Sequence, residues 1–157
     1  MIRGIYLSPK EVDVVVSKPH SRLKRISEAT DHNDGIFSYT FRDIKMLEDR
    51  LVQELGAELQ GEIPELKAKG ANAIILDFTG VKYWNSAVLG KLLSFRRRAE
   101  IEGAKLYLCY LSPEMLDTFK IAQMDKDCCL DFRKDLGSAI EAARLKEHKP
   151  QINYKEQ

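Results

Sequence analysis

The stretch Asn72-Ala-Ile-Ile-Leu-Asp77-Phe-Thr-Gly80-Val-Lys-Tyr-Trp84-Asn85-Ser86-Ala-Val-Leu-Gly90 decides the architecture of this chain. Ala73 to Leu76 is a continuous apolar run, too short for an independent helix and suited to a strand buried on both faces. Asp77 to Gly80 supplies turn chemistry. Val88, Leu89, Leu92 and Leu93 then recur three and four residues apart and lead to Arg96 and Arg97, which predicts a helix starting at Asn85 or Ser86 and ending on a basic turn.

Ser86 is the residue on which a functional reading turns. A hydroxyl in the first turn of a helix lies beside backbone N–H groups that have no intrahelical partner, at the positive end of the dipole. Such a place favours an added phosphate. Serine and asparagine are also common N-caps, so Asn85-Ser86 equally fits the plain role of closing a helix end. The two roles are compatible: if Asn85 caps, the Ser86 hydroxyl is left free.

Working outward, residues before the central stretch change period. Glu11-Val-Asp-Val-Val-Val-Ser17 is β-branched and predicts a strand, and Ile36 to Phe41 alternates as a second strand, antiparallel to the first. Residues 18–34 form a long connection that carries the basic cluster Arg22, Lys24 and Arg25 and the turn Asp31-His-Asn-Asp-Gly35. From Asp43, Ile44, Leu47, Leu51, Leu55, Leu59, Ile63 and Leu66 define a long amphipathic helix, with a kink or break expected near Gly61 and Pro64.

Downstream, Gly103 ends the second helix, Lys105 to Leu111 predicts another core strand, and Ser112-Pro113 starts a short helix. Cys128 to Phe132 predicts a last strand and Leu136 to Leu145 a closing helix. Alternating strands and helices after an initial strand pair imply an α/β fold with a mixed sheet and right-handed crossovers, in which sites collect at the carboxyl ends of strands, where Ser86 lies.

Composition narrows the function. With 25 basic and 24 acidic side chains the formal charge is +1, so no global field draws the chain to nucleic acid or anionic lipid. The longest apolar runs are too short to span a bilayer, and Met1-Ile-Arg-Gly lacks a leader's apolar core, so a cytoplasmic protein is expected. Cys109, Cys128 and Cys129 have no metal-ligand spacing and suit reduced thiols. No phosphate loop, nucleophile elbow or zinc motif occurs, and His20, His32 and His148 stand apart from any nucleophile. No catalytic residues, metal or cofactor are expected, and Asp77 is read as a turn group.

Val81 to Gly90 resembles the signature loop of STAS domains, the bacterial anti-sigma factor antagonists, in which a strand-end aspartate precedes Asp-Ser and Leu-Gly. Asp77 matches the aspartate, Ser86 the phosphorylatable serine, and Leu89-Gly90 the Leu-Gly pair. The likeness continues through residues 102–108 and 111–114 and spans roughly residues 36–147. Asn85 stands in place of the usual aspartate, and Ala87 and Val88 in place of a small hydroxyl residue and a glycine.

The resemblance implies a STAS-like mixed sheet of about four to five strands with helices packed against it. Residues 1–35 are an N-terminal strand and loop extension of the same domain, 36–147 the STAS-like domain and 148–157 a polar tail. It also implies partner switching: the chain binds an anti-sigma factor that is also its serine kinase, phosphorylation of Ser86 cancels that binding, and a serine phosphatase and self-association are further partners to consider. The switch loop comprises Asp77, Asn85, Leu89 and Gly90, and the expected contact surface Lys82, Tyr83, Trp84, Arg96 and Arg97. A scaffold that has lost its switch is the alternative, and Asn85 favours it.

Overall fold

The computed structural model describes residues 25–42, 44, 46–47, 49–121 and 130–146. The strand expected at residues 11–17, Cys128 and Cys129, His20 and His148, and the polar tail lie outside the described residues. Within them the order is β1 (Thr30–Asp31), β2 (Ile36–Thr40), β3 (Met46–Leu47), α1 (Asp49–Ala68), β4 (Ala73–Asp77), β5 (Tyr83–Trp84), α2 (Ala87–Ile101), β6 (Lys105–Cys109), α3 (Pro113–Ile121), β7 (Asp131–Arg133) and α4 (Leu136–Arg144).

The main sheet has the order β1-β2-β4-β6-β7, parallel throughout except for the antiparallel β1. Strands β2, β4 and β6 are in register from Ile36, Ala73 and Lys105 to Thr40, Asp77 and Cys109, so their carboxyl ends finish level. Alternation along each strand splits the apolar residues between two faces. Phe37, Tyr39, Ile74, Leu76, Leu106 and Leu108 share a core with α1 and α2, while Ile36, Ile75, Tyr107 and Cys109 pack against Ala139, Ala142 and Ala143 of α4. The three alanines let α4 approach the sheet closely. Each fully buried large side chain contributes about 1.5–3 kcal/mol, and Ile74, Ile75 and Leu76 at the sheet's centre are all within 1% of complete burial.

Three sequence expectations need correction. The antiparallel partner of β2 is Thr30–Asp31, extended by a bridge from Ile26 to Phe41, inside the stretch expected to be a connection. Its turn is tight because Asn33, Asp34 and Gly35 all take left-handed φ values of 72°, 59° and 77°. The first helix begins at Asp49 rather than Asp43, because Met46 and Leu47 are drawn into a parallel pair with Tyr83 and Trp84. It also continues through Gly61 and Pro64 without the break that was one of the two expected outcomes. Leu59, Ile63 and Leu66 are each buried on the core face around the proline, and that packing outweighs one missing backbone donor.

Candidate functional site

The site is the connection from β4 to α2. Asp77 ends β4 nearly buried, and its Oδ1 accepts from the Thr79 N–H at 2.8 Å and the Thr79 hydroxyl at 2.6 Å. Its role is to fold the turn, as the sequence suggested. Gly80 follows at φ 92°, a conformation that an L side chain would strain, and the Val81 N–H closes the turn on the Phe78 carbonyl at 2.9 Å.

The turn is bolted to the next crossover. The Ser112 hydroxyl donates to the Lys82 carbonyl at 2.7 Å and accepts from the Met115 N–H at 3.2 Å, so one side chain caps α3 and holds the loop. The Trp84 indole N–H donates to the Met115 carbonyl at 2.9 Å, and its ring meets Phe78 edge-on at 5.4 Å. Trp84 is only 7% exposed, which corrects its expected place on a contact surface: it is a core anchor of the loop. Tyr83, on the opposite side of the same short strand, is 47% exposed and remains on the surface.

Asn85 and Ser86 divide the work at the start of α2. The Asn85 Oδ1 accepts from the Ala87 N–H at 3.1 Å, and the Asn85 carbonyl accepts from Val88 at 3.1 Å. Ser86 already has helical φ and ψ of −65° and −20°, its side chain makes no capping bond, and it is exposed. No acidic side chain sits in the first turn to offset the dipole. The arrangement is therefore the compatible one: asparagine closes the helix and the serine hydroxyl stands free.

Leu89 is buried and ties α2 to the core, whereas Gly90 is exposed, with open space where a Cβ would lie. Ser86, Gly90 and Arg97 follow one exposed side of α2, and Lys82, Lys91 and Arg98 are exposed as well. Arg96 is corrected: its side chain is only 16% exposed and its Nη1 pairs with Glu100 at 2.8 Å, so it braces the helix rather than facing a partner.

Two residues missed in sequence belong here. Tyr110 follows β6 directly and is 43% exposed with φ 60°, a left-handed conformation costly for an aromatic residue. It lines an open depression with Thr79, Gly80, Val81, Ser112 and Lys134. Its position one residue beyond a strand's carboxyl end was the available signal. Ser112 was recognised as a cap, but not its bond to Lys82. Beneath the loop, Cys109 is buried, and burial, reinforced by the carboxylates of Asp77 and Asp135, pushes its thiol far above the ordinary range. It is a packing residue. Among the described residues no group of three metal-ligating side chains occurs, and no helix is long and apolar enough to cross a membrane.

Comparison with known proteins places this geometry. The family model described as STAS domain matches residues 40–139. No curated protein sequence matches the chain. A STAS-domain anti-sigma-factor antagonist from Planctomyces limnophilus aligns over 74% of this chain and 97% of its own at 16% identity and TM-score 0.58. The Bacillus cell fate determinant SpoIIAA, in its phosphorylated form, aligns over 74% and 98% at 17% identity and TM-score 0.51. The murine anion transporter Slc26a9 aligns over 86% of this chain and 24% of its own at 12% identity and TM-score 0.64, so this chain spans about a quarter of that transporter. At these identities the likeness establishes the fold.

Proposed function

Since the chain belongs to the STAS domain family, we propose that it is a regulatory binding protein of the anti-sigma factor antagonist type, switched by phosphorylation of Ser86. One observation carries this reading: Ser86 is exposed at a helix start, and its hydroxyl is free of capping duty because Asn85 performs it. A phosphate there adds about −1.5 to −2 charges and three acceptor oxygens. The fold tolerates that charge, since the dipole and the absence of first-turn carboxylates favour it. A partner seated on Ser86, Gly90 and Tyr83 does not, because it must desolvate the new charge.

The partner is an anti-sigma factor with serine kinase activity, and the protein acts in the cytoplasm, with a phosphatase to reset it. Incubation with the anti-sigma factor kinase of the same cell and ATP, read by intact mass and peptide mapping, tests the reading. One phosphate on Ser86, absent from Ser86→Ala, is expected. Phosphate on another residue, or full modification of Ser86→Ala, overturns the assignment.

A second reading is favoured by Asn85 itself. Without the aspartate usual at this position the loop is neutral, which suits a scaffold that holds its partner constitutively. Failure of any kinase to modify the chain, with binding intact, selects it.

A further inference from the structure

The charge of the whole chain is nearly balanced, but that of α2 is not. Ala87–Ile101 carries Lys91, Arg96, Arg97 and Arg98 against the single carboxylate of Glu100, in a chain of formal charge +1. The nearby carboxylates are already engaged: Glu100 pairs with Arg96 at 2.8 Å, and Glu102 with Lys67 at 2.7 Å. Lys91 and Arg97 are exposed and enter no ion pair among the described residues. Arg98 is exposed as well; Lys67, with Arg98 adding to it, holds the Glu102 carboxyl below its ordinary range.

Helical spacing gathers the unpaired cations on one side. Val88, Leu89, Leu92, Phe95 and Ala99 are buried and fix the inner face of α2. At about 100° per residue, Ser86, Gly90, Arg97 and Ile101 run along the middle of the opposite face, with Lys91 and Arg98 on one flank. Two apolar side chains are set among these cations. Leu93 packs against the core on one side and is only partly buried, and Ile101 is 72% exposed.

Such a face has a definite complement. Its cations, left without partners in the chain, call for carboxylates. Leu93 and Ile101 between them suit a helix that is apolar as well as acidic, whereas a plain polyanion would use the charge alone. Gly90 leaves open space where a Cβ would lie, so the backbone of a second helix can come close at that point.

We propose that the partner docks along α2 through an acidic amphipathic helix, its carboxylates against Lys91, Arg97 and Arg98 and its apolar side chains against Leu93 and Ile101. This inference rests on the reading of Ser86 as the switch of a partner-binding surface, and adds the chemistry of what binds there. Ser86 stands at the amino end of the same face, so a phosphate on it meets the partner's carboxylates as a like charge. Release then comes from repulsion between phosphate and partner, with no change of shape in α2.

Binding of the anti-sigma factor kinase of the same cell to the Ser86→Ala chain, followed by surface plasmon resonance, tests this with phosphorylation removed. Arg97→Glu should weaken binding at least about tenfold, and Arg97→Glu combined with Lys91→Glu about 100-fold. Raising the salt from about 0.05 to about 0.3 M should slow association about tenfold. Lys105→Glu, exposed at the amino end of β6, should bind within about twofold of its parent. All four chains should give the same circular dichroism, since the substituted side chains are exposed. Carbodiimide coupling of the complex should join Lys91 to a glutamate or aspartate of the partner through an amide. Binding of Arg97→Glu within about threefold of its parent, or coupling that never involves Lys91, overturns the proposal and leaves the phosphorylation of Ser86 standing. No binding of the kinase by either the parent or Ser86→Ala removes the partner reading itself, and this proposal with it. Capture by phosphatidylglycerol vesicles in place of the kinase, lost in Arg97→Glu, gives the face to a membrane and overturns the acidic helix.

Discussion

The Trp84 indole N–H donates to the main-chain carbonyl of Met115 at 2.9 Å, which locks the loop carrying Ser86 to the first turn of α3. With the Ser112 to Lys82 bond beside it, the loop is held at two points by one neighbouring element. A rigid loop costs a partner less ordering entropy on binding than a mobile one would.

Trp84→Ala should therefore cost about 3–5 kcal/mol in urea unfolding, the range for deleting a buried large aromatic. Trp84→Phe keeps an aromatic ring but loses the indole N–H and part of the buried volume, and should cost less than the alanine variant, about 1–3 kcal/mol. As Trp84 is the single tryptophan, these variants are followed by circular dichroism rather than fluorescence. A loss under 1 kcal/mol for the alanine variant would return Trp84 to the surface.

The division of labour between Asn85 and Ser86 gives a paired prediction. Asn85→Ala should lose about 1 kcal/mol, or about 2–4 °C in the thermal midpoint for a chain of this size. Ser86→Ala should leave the midpoint within about 1 °C, since no capping bond is removed. Equal losses in the two would mean that the serine shares the cap.

What was legible in the sequence follows from where periodicity is strong. The isoleucines of β4 announced themselves as a short unbroken apolar run, the mark of a strand buried on both faces, and the Val88, Leu89, Leu92 face of α2 as a three- and four-residue repeat. The turn chemistry of Asp77 and the cap at Ser112 were readable for the same local reason. The pairing of Met46–Leu47 with Tyr83–Trp84 was not, since two residues carry no period and the contact is set by tertiary packing. That one pair moved the start of α1 and turned Trp84 inward. The edge strand Thr30–Asp31 is exposed and polar, so it has no apolar alternation to betray it.

Tyr110 offers a test in which stability and function should move apart. Glycine accepts φ 60° without strain, so Tyr110→Gly should leave the folding stability unchanged or raise it by up to about 1 kcal/mol, with the thermal midpoint no lower than the parent's. If the exposed ring anchors the partner, the same change should weaken binding to the anti-sigma factor kinase by more than about 1 kcal/mol. A drop in midpoint would show that the ring packs structurally; unchanged binding would remove it from the contact surface.

Alkaline pH should destabilise the fold through Cys109 and Tyr39. Burial raises both groups in the folded state, aided at Tyr39 by Glu62, whose carboxylate accepts from the phenol at 3.1 Å. Their ordinary values of 9.0 and 10.0 describe the unfolded chain, which releases its protons first as pH rises. The folded state then binds more protons than the unfolded one, so stability present below about pH 9 should fall above it, by up to about 1.4 kcal/mol per pH unit for each group. Urea titrations between pH 7 and 11 measure the slope, and Cys109→Ala should flatten its onset near pH 9. A flat profile in the parent would contradict the burial argument.

The central claim is that phosphate on Ser86 breaks a partner complex without disturbing the fold. Calorimetric titration of the anti-sigma factor kinase with the parent chain, the Ser86-phosphorylated chain and Ser86→Ala measures it directly. The account predicts that parent and Ser86→Ala bind within about threefold of each other, and that the phosphorylated chain binds at least about 100-fold more weakly, in line with burying an unpaired charge. Its thermal midpoint should be no lower than the parent's. Equal affinity for the phosphorylated and parent chains would contradict the account.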